Sequence, residues 1–145
     1  TDSTHNEFSK KLFLIRKEIF MIEAISKITL YVNNQADAKS FWLDKMDFVV
    51  SFEQPMGPGM IWLEVAPSRD SKTSFVLYEK ELMKKQNPDN PLTHPSVILT
   101  TKAIETIHAT LKNRGVNVTD LNVFPYGKMF TFYDQDNNAY LLRED

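Results

Sequence analysis

The chain has 145 residues, 42% of them hydrophobic and 25% charged, which is the size and make-up of one ordinary globular domain and excludes wholesale disorder. With 17 basic residues against 19 acidic ones the formal net charge is −2, and the basic residues are scattered apart from Lys10-Lys11 and Lys84-Lys85, so neither nucleic acid nor an anionic membrane is expected as a partner. Cysteine is absent, which excludes disulfides, thiolate metal sites and cysteine nucleophiles, and no apolar run approaches the ~20 residues of a membrane span.

The first twenty residues stand apart from the rest. Phe8, Leu12, Ile15 and Ile19 fall at helical spacing, which allows a mildly amphipathic arm. The apolar stretches are too short and too broken by charge for a signal peptide, and no small-residue cleavage site follows. Residues 16–21 (RKEIFM) read like an in-frame translation of a purine-rich bacterial ribosome-binding site, a spacer and a start codon. Residues 1–20 are therefore expected to be a non-native or leader extension, with a genuine helical arm as the alternative. With no targeting signal in view, the expected location is cytoplasmic.

From there the elements follow in order. Residues 25–32 (ISKITLYV) alternate with β-branched and aromatic side chains and predict a strand. Residues 36–46 predict an amphipathic helix, capped by Asn34 or Asp37. Residues 48–53 predict a second strand, 54–59 (QPMGPG) a turn, 60–66 (MIWLEVA) a third strand and 73–79 (TSFVLYE) a fourth. Residues 81–94, rich in Pro, Asn and charge, read as a linker. The pattern then restarts: strand 95–101, helix 103–114 with Gly115 as its stop, strand 116–123, turn 125–127, strand 128–133, a turn at 134–138 (DQDNN) and a last strand 139–143.

The order is strand-helix-strand-strand-strand, twice. Residues 27–32 lie over 96–101, 41–48 over 109–116 and 75–77 over 140–142, which predicts an internal duplication. The expected fold is α+β: two tandem βαβββ modules (21–80 and 95–145) whose mostly antiparallel sheet curls around a cleft, all in a single domain, 21–145. Alternation assigns one face of the strands to the core, with Leu30, Leu63, Phe75, Phe130 and Leu142 among its members, and the other face to the cleft.

The segments ITLYVNN with the later Ala-x-x-Phe-Trp, PMGPGMIWLEVAP and PYGKMFTFYDQDNNAYLLRE resemble the glyoxalase/bleomycin-resistance/dioxygenase proteins, the vicinal oxygen chelate superfamily, over residues 21–145. The final strand-turn-strand is similar to the family's F-x-D-P-D-G-N-x-I-E-L ending, with Gln135 and Asn137 in place of Pro and Gly. Members with metal chemistry place four ligands in the cleft, and the resemblance carries those positions onto Lys27, Val76, Ser96 and Leu141. Two hydrocarbons, an ammonium and a lone hydroxyl are no ligand set, so no metal or other cofactor is expected.

The cleft face instead offers Tyr31, Trp62 and Tyr78 to stack on a ring, Lys27 and Arg143 to hold a carboxylate or phosphate, and Glu64 to accept from an amine or act as a base. Ser96 and Met129 complete the expected lining, and Lys27, Glu64 and Arg143 pairing with one another is the competing reading. The expected function is metal-free binding of a small organic molecule, similar to the resistance branch of the superfamily, with a homodimer as the working state. The alternative is a lyase, isomerase or dioxygenase of the same fold. It would use a shifted metal set of His94 with Glu64 or Glu79, or acid–base catalysis by Glu64 and Lys27.

Overall fold

The computed structural model describes Asn6, Glu7, Ser9, Lys10 and residues 19–145. Most of the arm proposed from Phe8, Leu12 and Ile15 lies outside the described residues. The alternating segment becomes strand β1 (Lys27–Val32). Asn34 leaves it in extended conformation and accepts the Asp37 N–H on its side-chain oxygen at 2.9 Å, the N-cap of helix α1 (Gln35–Ser40). That helix continues into a π turn, Phe41–Lys45, which buries Phe41 and Trp42. Strands β2 (Val49–Gly57), β3 (Met60–Ala66) and β4 (Ser74–Glu79) and helix α2 (Lys80–Gln86) follow. The second round is β5 (Ile98–Thr100), α3 (Ile104–Asn113), β6 (Asn122–Phe124), β7 (Gly127–Tyr133) and β8 (Ala139–Glu144).

Each module makes one open, mixed four-stranded sheet, ordered β1-β4-β3-β2 in the first and β5-β8-β7-β6 in the second. The first and last strands of each round pair in parallel and the others antiparallel. The registers repeat as well: Thr29 lies opposite Val76, and Ile98 opposite Leu141. The helix stops also correspond, with Asp47 at φ 58 and Gly115 at φ 79. Lys27 to Phe48 is one residue longer than Ser96 to Val116, and a π turn is the way a helix takes up one extra residue.

The inner faces of both sheets share one core. Trp42 is its hub, fully buried, with its ring centroid 5.0 Å from Phe75 of the first sheet and 5.0 Å from Tyr140 of the second. Polar bonds close the same seam. The Arg114 guanidinium donates to the Lys45 carbonyl at 2.8 Å and to Asp47 at 3.0 Å, while Lys45 Nζ donates to the Arg114 carbonyl at 2.5 Å. At the turn after β7, buried Asp134 accepts the N–H groups of Asp136 (2.9 Å) and Asn138 (3.0 Å) and the Tyr140 hydroxyl (2.7 Å). Burial and the Asp134 charge push that hydroxyl's pKa upward, so it stays a donor. Asn137 takes φ 63, the left-handed conformation that its side chain tolerates.

Four local expectations are corrected. Residues 54–57 extend β2 rather than turn, and Pro55 is tolerated because β2 is the outermost strand. The expected linker holds α2, built from good helix formers and stopped just before Pro88. The strand expected over 116–123 shrinks to β6 plus one bridge, Val118 to Phe132, because the Thr119 hydroxyl takes the Thr131 N–H at 2.9 Å in place of a backbone carbonyl. β5 pairs over three residues only; Pro95, with no N–H to give, lies just before it.

Candidate functional site

With the inner faces turned to the shared core, the residues expected to line the cleft lie on the outer faces of two different sheets. The first sheet brings Lys27, Tyr31, Trp62, Glu64 and Tyr78 together. β1 sets Lys27 opposite Ser74 and Tyr31 opposite Tyr78, and β3 sets Glu64 opposite Val76. The second sheet carries Met129 and Arg143 opposite one another, with Ser96 exposed just before β5. Among the described residues, no hydrogen bond or ring contact joins the two groups within one chain.

Glu64 is the centre of the first group. Its side chain is only 8% exposed, yet it carries a charge, and four hydrogen bonds from three donor groups account for that. Lys27 Nζ spans both carboxylate oxygens at 2.7 and 2.8 Å, Ser74 Oγ donates at 2.7 Å, and the Trp62 indole N–H donates at 2.8 Å. Burial alone pushes the carboxyl pKa up. The bonds from Lys27, Ser74 and Trp62, with the Lys27 charge, outweigh it and hold the pKa below the ordinary 4.5.

Around this cluster the rings form an edge-to-face run, Trp62 to Tyr78 at 6.2 Å between centroids and Tyr78 to Tyr31 at 6.3 Å. All three are only partly buried. Three contributors escape sequence reasoning. Phe52 lies opposite Glu64 and is exposed, but the register shift between Val50 and Phe52 breaks the alternation that would have assigned it. Gln86 and Asn90 come from the supposed linker: Gln86 Oε1 accepts the Tyr78 hydroxyl, and Asn90 Nδ2 donates to the Tyr31 hydroxyl at 3.2 Å. Ser74, by contrast, follows from simple alternation with Val76.

The outer face of the second sheet is built differently. Arg143 Nε bonds Asp145, and its guanidinium lies 5.8 Å from the centre of the Tyr126 ring, which stacks on Phe124 at 5.3 Å. Beside them Ile98 is 58% exposed and Tyr126 63%.

A family model for the Glyoxalase/Bleomycin resistance protein/Dioxygenase superfamily matches residues 24–141. The chain belongs to this superfamily. It is 34% identical over 125 residues to the uncharacterized protein YetH of Bacillus subtilis (strain 168), covering 86% of this chain and all of that one. Among solved structures it is similar to TnmS3, an antibiotic binding protein from Streptomyces sp. CB03234, at 28% identity and a TM-score of 0.71, over 87% of this chain and 98% of that one. A superfamily member from Sphaerobacter thermophilus DSM 20745 shares the fold at a TM-score of 0.74 and 24% identity, over 87% of this chain and 100% of that one.

The four positions that the resemblance assigns to metal ligands hold residues that do not fit a metal. Lys27 is paired with Glu64, Val76 and Leu141 are hydrocarbons, and Ser96 offers one exposed hydroxyl. The shifted set does not assemble either. His94 Nε2 contacts the Ala139 carbonyl at 3.2 Å and its ring packs on Tyr140, whereas Glu79 accepts the Gln35 N–H at 3.2 Å. Among the described residues no three His, Asp or Glu side chains converge, and no helix is long and apolar enough to cross a membrane. His108 is a packing residue, with Nε2 2.8 Å from the Thr119 carbonyl and its ring against Phe130.

Proposed function

We propose that this chain binds a small organic molecule on the outer face of the first sheet, without a metal, and that a second copy supplies the facing wall. The observation that carries this reading is the run of partly exposed rings, Tyr31, Tyr78 and Trp62, around a carboxylate whose hydrogen bonds are already satisfied. Six aromatic side chains, Phe41, Trp42, Phe75, Phe130, Phe132 and Tyr140, are sealed in the core, whereas these three open rings grouped on one sheet suit stacking with a flat ligand. The likeness to an antibiotic binding protein supports the same reading.

The split of the lining residues between two sheets supports the homodimer. One open sheet makes a wall rather than a cleft, and the second sheet's outer face, with Ser96, Met129 and Arg143, points away from it across the shared core. A two-fold pair sets the first sheet of one copy against the second sheet of the other, and the exposed Ile98 and Tyr126 become the apolar contact. The enzymatic alternative gains less support. A general base works best with a pKa near neutrality, and Glu64 is held in the opposite direction.

Three measurements test the proposal. Elemental analysis of protein purified without tag or chelator is expected to find no stoichiometric Zn, Ni, Mn or Fe. Sedimentation is expected to give a dimer, and a thermal-shift screen of planar aromatic compounds to give hits that Trp62→Ala abolishes. A stoichiometric metal, or hits indifferent to Trp62, contradicts it.

A further inference from the structure

We infer that the ligand of this face is electrically neutral, an uncharged aromatic compound, and that the face discriminates against carboxylates and phosphates as well as amines. The inference rests on the binding reading above and adds to it the charge class of the ligand.

The first sheet's outer face carries one cation and one anion at its centre, and they neutralise each other. Lys27 Nζ uses two of its three N–H groups on the two oxygens of Glu64. Glu64 in turn accepts four bonds, the two from Lys27 and one each from Ser74 and Trp62, which fills the roughly four acceptor positions of a carboxylate. A ligand amine therefore finds no free acceptor on Glu64.

A ligand anion faces a different obstacle. To be bound by Lys27 at full strength it must draw the ammonium away from Glu64, and that strands a buried carboxylate without its counter-ion. The Lys27 side chain is half exposed, so its third N–H remains able to donate to a neutral carbonyl or hydroxyl while the pair stays intact. On the facing wall Arg143 is likewise beside a counter-charge, its Nε–H bonded to Asp145 and its guanidinium over the Tyr126 ring, so that pair adds little net charge. A charge-neutral polar centre ringed by Trp62, Tyr78 and Tyr31 rewards ring area and one or two neutral polar groups and penalises net charge. Lys27 and Arg143, which in the sequence alone suggest anchors for an acid, thus each already face a carboxylate of this chain.

The test is a matched series: the carboxamide, carboxylate and methylammonium derivatives of naphthalene, anthracene and pyrene, titrated by calorimetry into the full chain and into Glu64→Gln and Lys27→Met. In the wild type, the amide of at least one ring system is expected to bind about tenfold or more tighter than its carboxylate and its ammonium partner. Glu64→Gln frees the Lys27 charge and is expected to shift the preference toward the carboxylate by about tenfold; Lys27→Met is expected to shift it toward the ammonium compound. A wild-type preference for the carboxylate overturns the inference but leaves the binding reading standing. Failure of every ring system at every charge overturns the binding reading and the inference with it. The wild-type series and Lys27→Met decide the matter if Glu64→Gln does not fold.

Discussion

The outer faces of the two sheets descend from the same repeated pattern and have the same strand order and pairing register, yet they differ in kind. The first is organised around a buried, four-bonded carboxylate with rings on its flank. The second has no such centre. Its Arg143 is tied to Asp145 at the margin, and its middle is Met129, Thr131, Ile98 and Leu141, apolar or weakly polar and open. Duplicated backbones thus fix where side chains point but not what they do. The first face has a fixed polar centre, which suits the proposed binding, and the second has an exposed apolar surface, which suits the proposed contact between copies.

The seam between the modules is the control for this comparison, and the largest effect is expected there. Trp42→Ala removes the ring that touches both sheets, and chemical denaturation is expected to show a loss of about 3–5 kcal/mol, with both modules unfolding together. The Trp42 indole N–H is buried with no partner among the described residues, so Trp42→Phe is expected to cost much less than Trp42→Ala.

The next effect separates the two faces. Lys27→Met leaves Glu64 buried with only neutral donors, and the expected cost at pH 7 is about 1–3 kcal/mol, less than for a fully buried pair because Lys27 is half in water. The pH dependence has a definite sign. Glu64 in the wild type has a folded pKa below its unfolded 4.5, so its contribution is complete above that value and is lost as pH falls through the folded pKa. In the variant, loss of the Lys27 bonds and charge moves the pKa upward from its wild-type position. The stability gap between the two proteins is therefore expected to be widest near neutrality and to narrow in acid below about pH 4. A gap independent of pH contradicts the assignment.

The smallest effect belongs to the second face. Ile98→Lys, at a 58% exposed position, is expected to change the stability of the single chain by no more than about 0.5 kcal/mol, while sedimentation shows the dimer weakened. A large loss of stability with unchanged assembly removes the covering role from this face.

The fold was legible in the sequence where alternation carries it. Leu30, Leu63, Phe75, Phe130 and Leu142 are buried as their two-residue period predicts, and the repeat register is seen in Thr29–Val76 and Ile98–Leu141. The site was legible only in part. Alternation puts Lys27 and Glu64 on the same side of the strands, but they sit two strands apart, and their meeting depends on side-chain reach across β4. The division of the lining between two sheets was hidden for a different reason: the period says which side chains share a face, not which faces close on each other. Gln86 and Asn90 were hidden because Pro, Asn and charge mark an irregular segment without showing what it lies against.

The most direct test of binding on the first face uses the two tryptophans as a built-in pair. In protein carrying 15N-labelled indoles, with Trp62→Phe to assign the signals, an uncharged fused-ring amide is titrated in. The expected result is that the Trp62 indole resonance moves and saturates, while that of Trp42, sealed in the core, stays in place. A ligand that binds and leaves the Trp62 signal unmoved contradicts the claim.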